Sequence, residues 1–338
     1  MIDLTVVWAA IIAFAIVAYV IMDGFDLGIG LLFPWLDVGE ERDAAMNSIA
    51  PVWDGNETWL ILGGGGLLAA FPLAYAIILP AVYAPMIAML LALVLRGVAF
   101  EFRWRDPRHR HGWDLAFHGG SLAAALAQGI TLGALLQGIR ISGRAYGGGW
   151  WDWLSPFSLL TGASLVIGYA LLGACWLVWK TEGTLQDKAR NRARSAAILL
   201  LAAIAAVSLA TLGLEPKYYR RWLAFPGVIA TAQVPLATLI VSLAFFRALN
   251  AGRDALPFFL ALGLFGLTFV GLGISIWPDV IPAPVPTEAW SELVIRPCAP
   301  SIASNVFVFS FSEVPTPPKI SGPTRMRRFQ SRIPAAAP

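Results

Sequence analysis

Long apolar segments separated by short polar ones make up most of this sequence. A transmembrane helix needs roughly 20 predominantly apolar residues, and Thr5–Trp35 is the first segment of that length. Leu60–Leu95 contains no charged residue but is too long for one crossing, and Pro72 disfavours a continuous helix. We therefore predict two spans within this segment, with a turn near Phe71–Tyr75.

Five further uncharged segments are long enough to cross a membrane: Leu115–Ile139, Pro156–Trp179, Ser195–Leu214, Trp222–Phe246 and Ala255–Pro278. Together these segments predict eight transmembrane helices. Only 13% of the 338 residues are charged, against about 25% in soluble proteins, and the mean hydropathy is +0.69. The sequence therefore predicts an all-α, polytopic membrane protein.

Lysine and arginine residues are concentrated in alternate predicted loops. If the N-terminus is periplasmic, the inner loops hold twelve of them and the outer loops five. Because basic residues accumulate in cytoplasmic loops, we expect that orientation. The basic loops 103–112 and 180–194 then act as topology signals, and no nucleic-acid partner is expected.

Two aspartates lie inside the first predicted span. Asp23 and Asp26 are three residues apart and share one helix face. Gly24 and Gly28 form a small-xxx-small pattern beside them, which permits close approach of another helix. The aspartates could serve such a helix contact with satisfied carboxylates, but carboxylates at membrane depth are costly and favour a protonatable functional site.

A second acidic pair, Asp54 and Glu57, begins the next span. The two residues could form a variant of the capping box, with Asp54 as N-cap and Glu57 at N3. They could equally be functional acids, and the residues alone leave both interpretations open.

Arg96 is a charged residue within the predicted third span. Glu101 lies five residues on, which places it on a different helix face, and it can pair with Arg105 instead. Arg96 therefore requires a partner from another helix. The predicted depths place Arg96 and Asp26 in the same cytoplasmic half of the membrane, where a chain of acids could form a proton path.

The sequence offers little to hold a cofactor. It has three histidines, of which His118 falls within a predicted span, and it has no P-loop, dinucleotide-binding or zinc motif. Cys175 lies in an apolar helix, where a free cysteine usually packs as a small apolar residue. We expect no cofactor-binding or metal site in this chain.

Three motifs carry a resemblance to a known family. Met22–Gly30 (MDGFDLGIG), Asn47–Leu60 (NSIAPVWDGNETWL) and Arg96–Arg103 (RGVAFEFR) closely resemble subunit II of cytochrome bd-type quinol oxidases, including the cyanide-insensitive branch. The resemblance covers roughly residues 1–282. It implies two four-helix bundles and one further helix, in a multi-pass protein of the bacterial inner membrane.

The resemblance also implies an activity and partners. Such a complex oxidises ubiquinol or menaquinol and reduces O₂ to water, electrogenically, in the aerobic respiratory chain. Heme b and heme d are held by subunit I, with which this chain would form a heterodimer, active only together. Quinol, membrane lipids, small accessory subunits, and a ubiquinone or menaquinone acting as substrate or structural lipid are further expected partners.

Residue roles follow from the same motif match. Asp54 corresponds to the acid of a proton pathway toward the oxygen-reducing hemes, and Asp26 to the acid of the first helix linked to complex integrity. Asp23 and Glu57 are the other pathway candidates. Supporting candidates are Trp53, Asn56, Arg96 and Glu101.

The C-terminal segment departs from the family pattern. Residues 283–338 form a proline-rich, partly basic tail where the family carries a ninth span. We expect the transmembrane domain to cover residues 1–282 and the tail to be disordered. A frameshift or truncation is our hypothesis for its origin, and resequencing the 3′ end would test it.

Two other functions fit the residues. A subunit with a purely structural role in assembly would need no proton path. A proton-coupled secondary transporter could also use aspartates on broken helices.

Overall fold

The computed structural model describes residues 4–282, which form helices with short connections and one small hairpin. The helices are α1 (Leu4–Leu32), α2 (Glu40–Ile49), α3 (Trp53–Ala70), α4 (Pro72–Ala81), α5 (Tyr83–Arg105), α6 (Arg110–Leu136), α7 (Pro156–Lys180), α8 (Gly183–Leu212), α9 (Pro216–Leu223), α10 (Val228–Thr231), α11 (Gln233–Asn250) and α12 (Leu256–Ile276). The hairpin pairs β1 (Ile141–Ser142) with β2 (Ala145–Tyr146) in antiparallel register. The predicted all-α fold is confirmed.

Seven helical segments within residues 4–282 are long and apolar enough to cross a membrane. They are Leu4–Trp35, Tyr83–Arg105, Pro107–Leu136, Pro156–Lys180, Gly183–Leu212, Val228–Asn250 and Leu256–Ile276. The remaining predicted span corresponds to α3, whose 18 residues extend about 27 Å but carry Asp54 and Glu57. The count of eight crossings and the periplasmic N-terminus remain predictions.

The break predicted within the long apolar segment 60–95 is confirmed. Phe71 leaves helical geometry with φ −133° and ψ 63°, and Pro72 begins α4. Proline suits the first turn of a helix because its missing N–H has no intrahelical partner there. This break separates α3, which packs alongside α1, from α4.

Some predicted boundaries are wrong. Trp222 lies in α9, and the predicted span Trp222–Phe246 instead begins at Val228, after the Pro226–Gly227 interruption. Pro226 disfavours helical geometry at the preceding residue and cannot donate a backbone hydrogen bond. The helices α6 and α8 begin well before the predicted Leu115 and Ser195, because a helix can continue into water, where charged residues are tolerated.

The centre of the fold is formed by α1, which packs against α3, α6 and α7. A side chain at Gly28 would collide with the carbonyl oxygen of Tyr169 and the main chain of Gly173 on α7, and a Cβ at Gly24 would lie 2.8 Å from the Tyr169 ring. The main chains of α1 and α7 are therefore in direct contact. This confirms the close approach of another helix that we predicted from the spacing of Gly24 and Gly28.

Two further expectations concern Cys175 and the C-terminal tail. Cys175 is fully buried in the core, which confirms its packing role. The proline-rich tail, the proposed domain boundary after residue 282 and the frameshift hypothesis lie outside the described residues.

Candidate functional site

Two carboxyl groups of α1 lie in the protein interior. Asp23 and Asp26 are both fully buried, on the part of α1 that packs against α3, α6 and α7. An isolated buried carboxylate is strongly disfavoured unless it is paired or hydrogen bonded. Their surroundings must therefore supply donors or positive charge.

The first turn of α3 supplies one donor. The side-chain amide of Asn56 donates from Nδ2 to Asp26 Oδ2 at 2.5 Å and to the carbonyl oxygen of Met22 at 3.1 Å. Trp53, one turn earlier, stacks on Phe100 with ring centroids 4.8 Å apart. These contacts fix α3 against α1 and α5 and place the predicted residue Asn56 against the buried Asp26.

Arg96 of α5 supplies the positive charge. Its buried guanidinium lies with Nη1 3.2 Å from Glu57 Oε1 and 3.9 Å from Asp23 Oδ1. It also faces the ring of Phe117 at 5.7 Å, a cation–π distance. The prediction that Arg96 pairs with another helix is confirmed, although its ion-pair partners are Asp23 and Glu57 and not Asp26.

These residues form what we call the acid-rich cluster: Asp23, Asp26, Asn56, Glu57 and Arg96. The cluster contains three carboxyl groups and one guanidinium. Several buried atoms also make no hydrogen bond to any described residue, namely Asp23 Oδ1 and Oδ2, Asp26 Oδ1, and Arg96 Nε and Nη2. Since buried polar atoms are nearly always hydrogen bonded, the cluster has capacity for further donors and acceptors.

A neighbouring hydrogen-bonded chain was missed from the sequence. Gln128 of α6 donates from Nε2 to the Tyr19 hydroxyl at 2.7 Å and accepts from the Tyr169 hydroxyl at 2.6 Å. Tyr19 lies one turn before Asp23 on α1. The spacing of Tyr19 and Asp23 was visible, but the partners on α6 and α7 are more than a hundred residues away.

Two sequence-predicted residues lie apart from the cluster. Asp54 is exposed in the first turn of α3. The N-cap of α3 is Val52, and it makes no side-chain capping bond, so the capping-box interpretation of Asp54 and Glu57 is wrong. Glu101 pairs with Arg105 at 3.6 Å, with both side chains exposed, which confirms that pairing but separates Glu101 from Arg96.

A second charged cluster joins α2, α5 and α6. Arg103 donates from Nε to Asp114 Oδ1 at 2.5 Å and from Nη1 to Asp43 Oδ1 at 2.8 Å. Arg42 binds Asp114 Oδ2 at 2.7 Å, and Arg110 also binds Asp43. We call these five residues the arginine-rich cluster. Sequence reasoning counted its arginines only as topology signals and did not single out its aspartates.

The pKa of Asp43 reflects these contacts. Partial burial raises the pKa, but the hydrogen bonds from Arg110 and Arg103 and their positive charges outweigh it. The pKa of Asp43 therefore lies below its usual value, and the residue is held as a carboxylate.

Two histidine side chains among the described residues bind oxygen atoms of the protein itself. His118 shares a hydrogen bond from Nδ1 with the carbonyl oxygen of Gly30 at 2.9 Å, joining α6 to α1, while His109 pairs with Asp106 at the surface. Within residues 4–282, no group of three or more histidine, cysteine, aspartate or glutamate side chains is arranged to hold a metal ion.

Comparisons with known proteins agree with the motifs. Residues 4–300 match the sequence model of the family described as cytochrome bd terminal oxidase subunit II. The chain is 36% identical over 207 residues to the cytochrome bd-I ubiquinol oxidase subunit 2 of Escherichia coli, covering 59% of this chain and 55% of that one. It is 35% identical over 205 residues to a probable cytochrome oxidase subunit 2 of Haemophilus influenzae, covering 58% and 54%. The match thus spans little more than half the length of these two relatives.

Two further similarities extend over more of the chain. The cytochrome bd ubiquinol oxidase subunit 2 of Bacillus subtilis is 31% identical over 283 residues, covering 81% of this chain and 80% of that one. The fold is similar to a chain in the structure of bd oxidase from Geobacillus thermodenitrificans, with a TM-score of 0.69 and 18% identity over 84% of this chain and 87% of that chain. At this identity the structural similarity concerns the fold alone.

Proposed function

The chain belongs to the cytochrome bd terminal oxidase subunit II family, and on this premise we propose that it is the heme-free second subunit of a quinol oxidase. The complex would transfer electrons from ubiquinol or menaquinol to O₂ in the bacterial inner membrane and form water. Subunit I would hold heme b and heme d and bind the quinol. This chain would contribute a scaffold and a cytoplasm-facing route for protons.

The observation that carries the proposal is the excess of acid in the acid-rich cluster. Formation of water from O₂ takes up protons, so the reaction needs a path by which protons cross the apolar part of the protein. Ionisable residues at membrane depth are typical of proton relays. Asp23, Asp26 and Glu57 outnumber Arg96, so two of the three carboxyl groups lack a matching positive charge within the cluster.

The chain's own residues suggest an order of proton carriers. Asp54 is exposed at the start of α3, and Glu57 lies three residues further on the same helix, in contact with Arg96. Arg96 links Glu57 to Asp23, while Asn56 holds the carboxyl group of Asp26. A proton entering at Asp54 could pass to Glu57 and then to Asp23 or Asp26 through bound water, for which the cluster has hydrogen-bonding capacity.

The exposed face of α3 is the surface we assign to subunit I. Asp54 and Ile61 are exposed on α3, and a Cβ added at Gly64 or Gly65 would meet nothing within 4 Å. Small residues allow another helix to approach closely, and Asp54 would be costly if lipid covered it. A structure of the complex with lipid against Gly64 would contradict this assignment.

The proposal is tested by Asp54→Asn, with Glu101→Gln as the matched control because Glu101 pairs only at the surface. We expect Asp54→Asn to retain heme and subunit I but to lower quinol oxidase turnover by at least about 100-fold, the usual size of a proton-transfer contribution. Glu101→Gln should keep full turnover.

Two other outcomes would favour the alternative functions. Full turnover of Asp54→Asn would reject the proton role and favour a purely structural assembly subunit. Purification of the wild-type chain alone and without heme absorbance would instead favour a proton-coupled transporter.

A further inference from the structure

A cavity of about 430 Å³ opens between the end of α1, α7 and the first turns of α8. Its volume lies within the roughly 300–1,000 Å³ typical of small-molecule sites. Leu32, Leu36 and Leu177 contribute an apolar wall, and all three are buried. Arg192 and Ser195 of α8 contribute polar groups. The cavity thus combines apolar and cationic surface at one end of the transmembrane helices.

The three arginines of α8 differ in whether they make hydrogen bonds or ion pairs. Arg190 donates to the carbonyl oxygens of Leu249 and Arg253 and pairs with Asp254 at 3.1 Å. Arg194 donates to Asn250 Oδ1 at 2.5 Å. Arg192, between them, has no hydrogen bond or ion pair to any described residue and lies over the ring of Trp35 at 5.4 Å. The unpaired arginine is the one that lines the cavity.

The other charged residues that line the cavity are paired with each other. Lys188, one turn before Arg192, binds Asp37 Oδ2 at 2.7 Å and, outside the lining, Glu41 Oε1 at 2.9 Å. The acidic side chain in the wall, Asp37, therefore has Lys188 and not Arg192 as its ion-pair partner. The positive charge of Arg192 remains available to a ligand, with Ser195 one turn further along the same helix.

We propose that this cavity binds the phosphate of an anionic phospholipid, with Arg192 as the principal phosphate contact. The loop charges predict that this end of the helices faces the cytoplasm, where basic pockets between transmembrane helices bind anionic lipid headgroups. Trp35 is 52% exposed, and tryptophan is typical of the membrane–water interface. The leucine wall would receive the first part of an acyl chain. This binding is independent of the proposed proton route.

The test uses the purified complex in detergent, stripped of loosely bound lipid and titrated with phosphatidylglycerol, with bound lipid counted by native mass spectrometry. Arg192→Gln should weaken binding by about fivefold or more, the effect of one basic group near an anionic headgroup. Arg194→Gln is the matched control, because it removes the same charge from the same helix outside the cavity, and it should bind as the wild type does. Ser195→Glu should also weaken binding by adding a negative charge.

Each alternative has its own outcome. Equal binding by Arg192→Gln and wild type, or no binding by wild type, would overturn the proposal. Displacement of phosphatidylglycerol by inorganic phosphate at the same concentration would identify a free-phosphate site, and equal affinity for phosphatidylcholine would remove the requirement for an anionic lipid. Loss of subunit I from Arg192→Gln would show that a protein partner covers the cavity.

Discussion

The two charged clusters of this protein are built in opposite ways. In the arginine-rich cluster, three guanidinium groups share two carboxylates, and the contacts of Arg42 and Arg103 with them are 2.5–2.8 Å long. In the acid-rich cluster, Arg96 is the only cation for three carboxyl groups, and it pairs with Glu57 at 3.2 Å and with Asp23 at 3.9 Å. Five buried side-chain atoms of the acid-rich cluster make no hydrogen bond to described residues, against two of the arginine-rich cluster.

The difference separates a structural arrangement from one suited to function. Short, multiply bonded ion pairs hold α2, α5 and α6 together, and they keep Asp43 as a carboxylate. A cluster with too few positive charges can reduce its electrostatic cost by binding protons or water, and it can release them again. The excess of carboxyl groups, more than burial alone, is the reason we propose the acid-rich cluster as the proton-handling site.

The largest effect is expected from Arg103→Ala in the arginine-rich cluster. The change leaves the buried Asp114 with a single ion-pair partner and removes one from Asp43, and breaking a buried pair costs about 3–5 kcal/mol. We expect a lower unfolding temperature and a lower yield of assembled complex. Arg105→Ala is the control, because Arg105 is largely exposed. A wild-type melting curve for Arg103→Ala would show that this cluster does not stabilise the fold.

A different kind of effect is expected from Asp26→Asn in the acid-rich cluster. The amide keeps the shape of the side chain and can still accept a hydrogen bond from Asn56, so the unfolding temperature should not fall. Quinol oxidase turnover per heme should fall by about 100-fold. Asp114→Asn should show the reverse pattern, with lower stability and normal turnover of the assembled fraction. If both variants behave alike, the distinction between the clusters fails.

The smallest effect is expected from pH acting on Asp43. Its pKa in the folded protein lies below the unfolded value of about 3.9, so its ionisation stabilises the fold above that pH. This contribution should decline as the pH falls below about 4 and passes through the folded pKa. Thermal unfolding of wild type and Asp43→Asn should therefore differ at pH 6 and converge in acid. A difference that stays constant with pH would assign the effect to packing.

The sequence predicted the main features of the fold because each had a local cause. The apolar segments, the break before Pro72 and the close packing at Gly24 and Gly28 depend on residues close together in the chain. The beginnings of α6 and α8 were placed too late because hydropathy marks the membrane-embedded part of a helix and not its extension into water.

The site was predicted less completely because its contacts are long-range. The need of Arg96 for a partner on another helix was visible, but the choice of Asp23 and Glu57 over Asp26 depends on helix rotation. The pairing of Arg42 with Asp114 joins residues 72 positions apart, and no local spacing indicates it. The exposure of Asp54 likewise depends on which face α3 turns away from α1.

The contact of Gly28 with Gly173 also bears on how this protein can change during evolution. Since the two main chains touch there, α1 can neither slide nor rotate past α7 without separating from it. A carboxyl group lost from α1 therefore cannot be restored by shifting the register of that helix. Compensating substitutions have to arise on α3 or α5, whose side chains complete the same cluster.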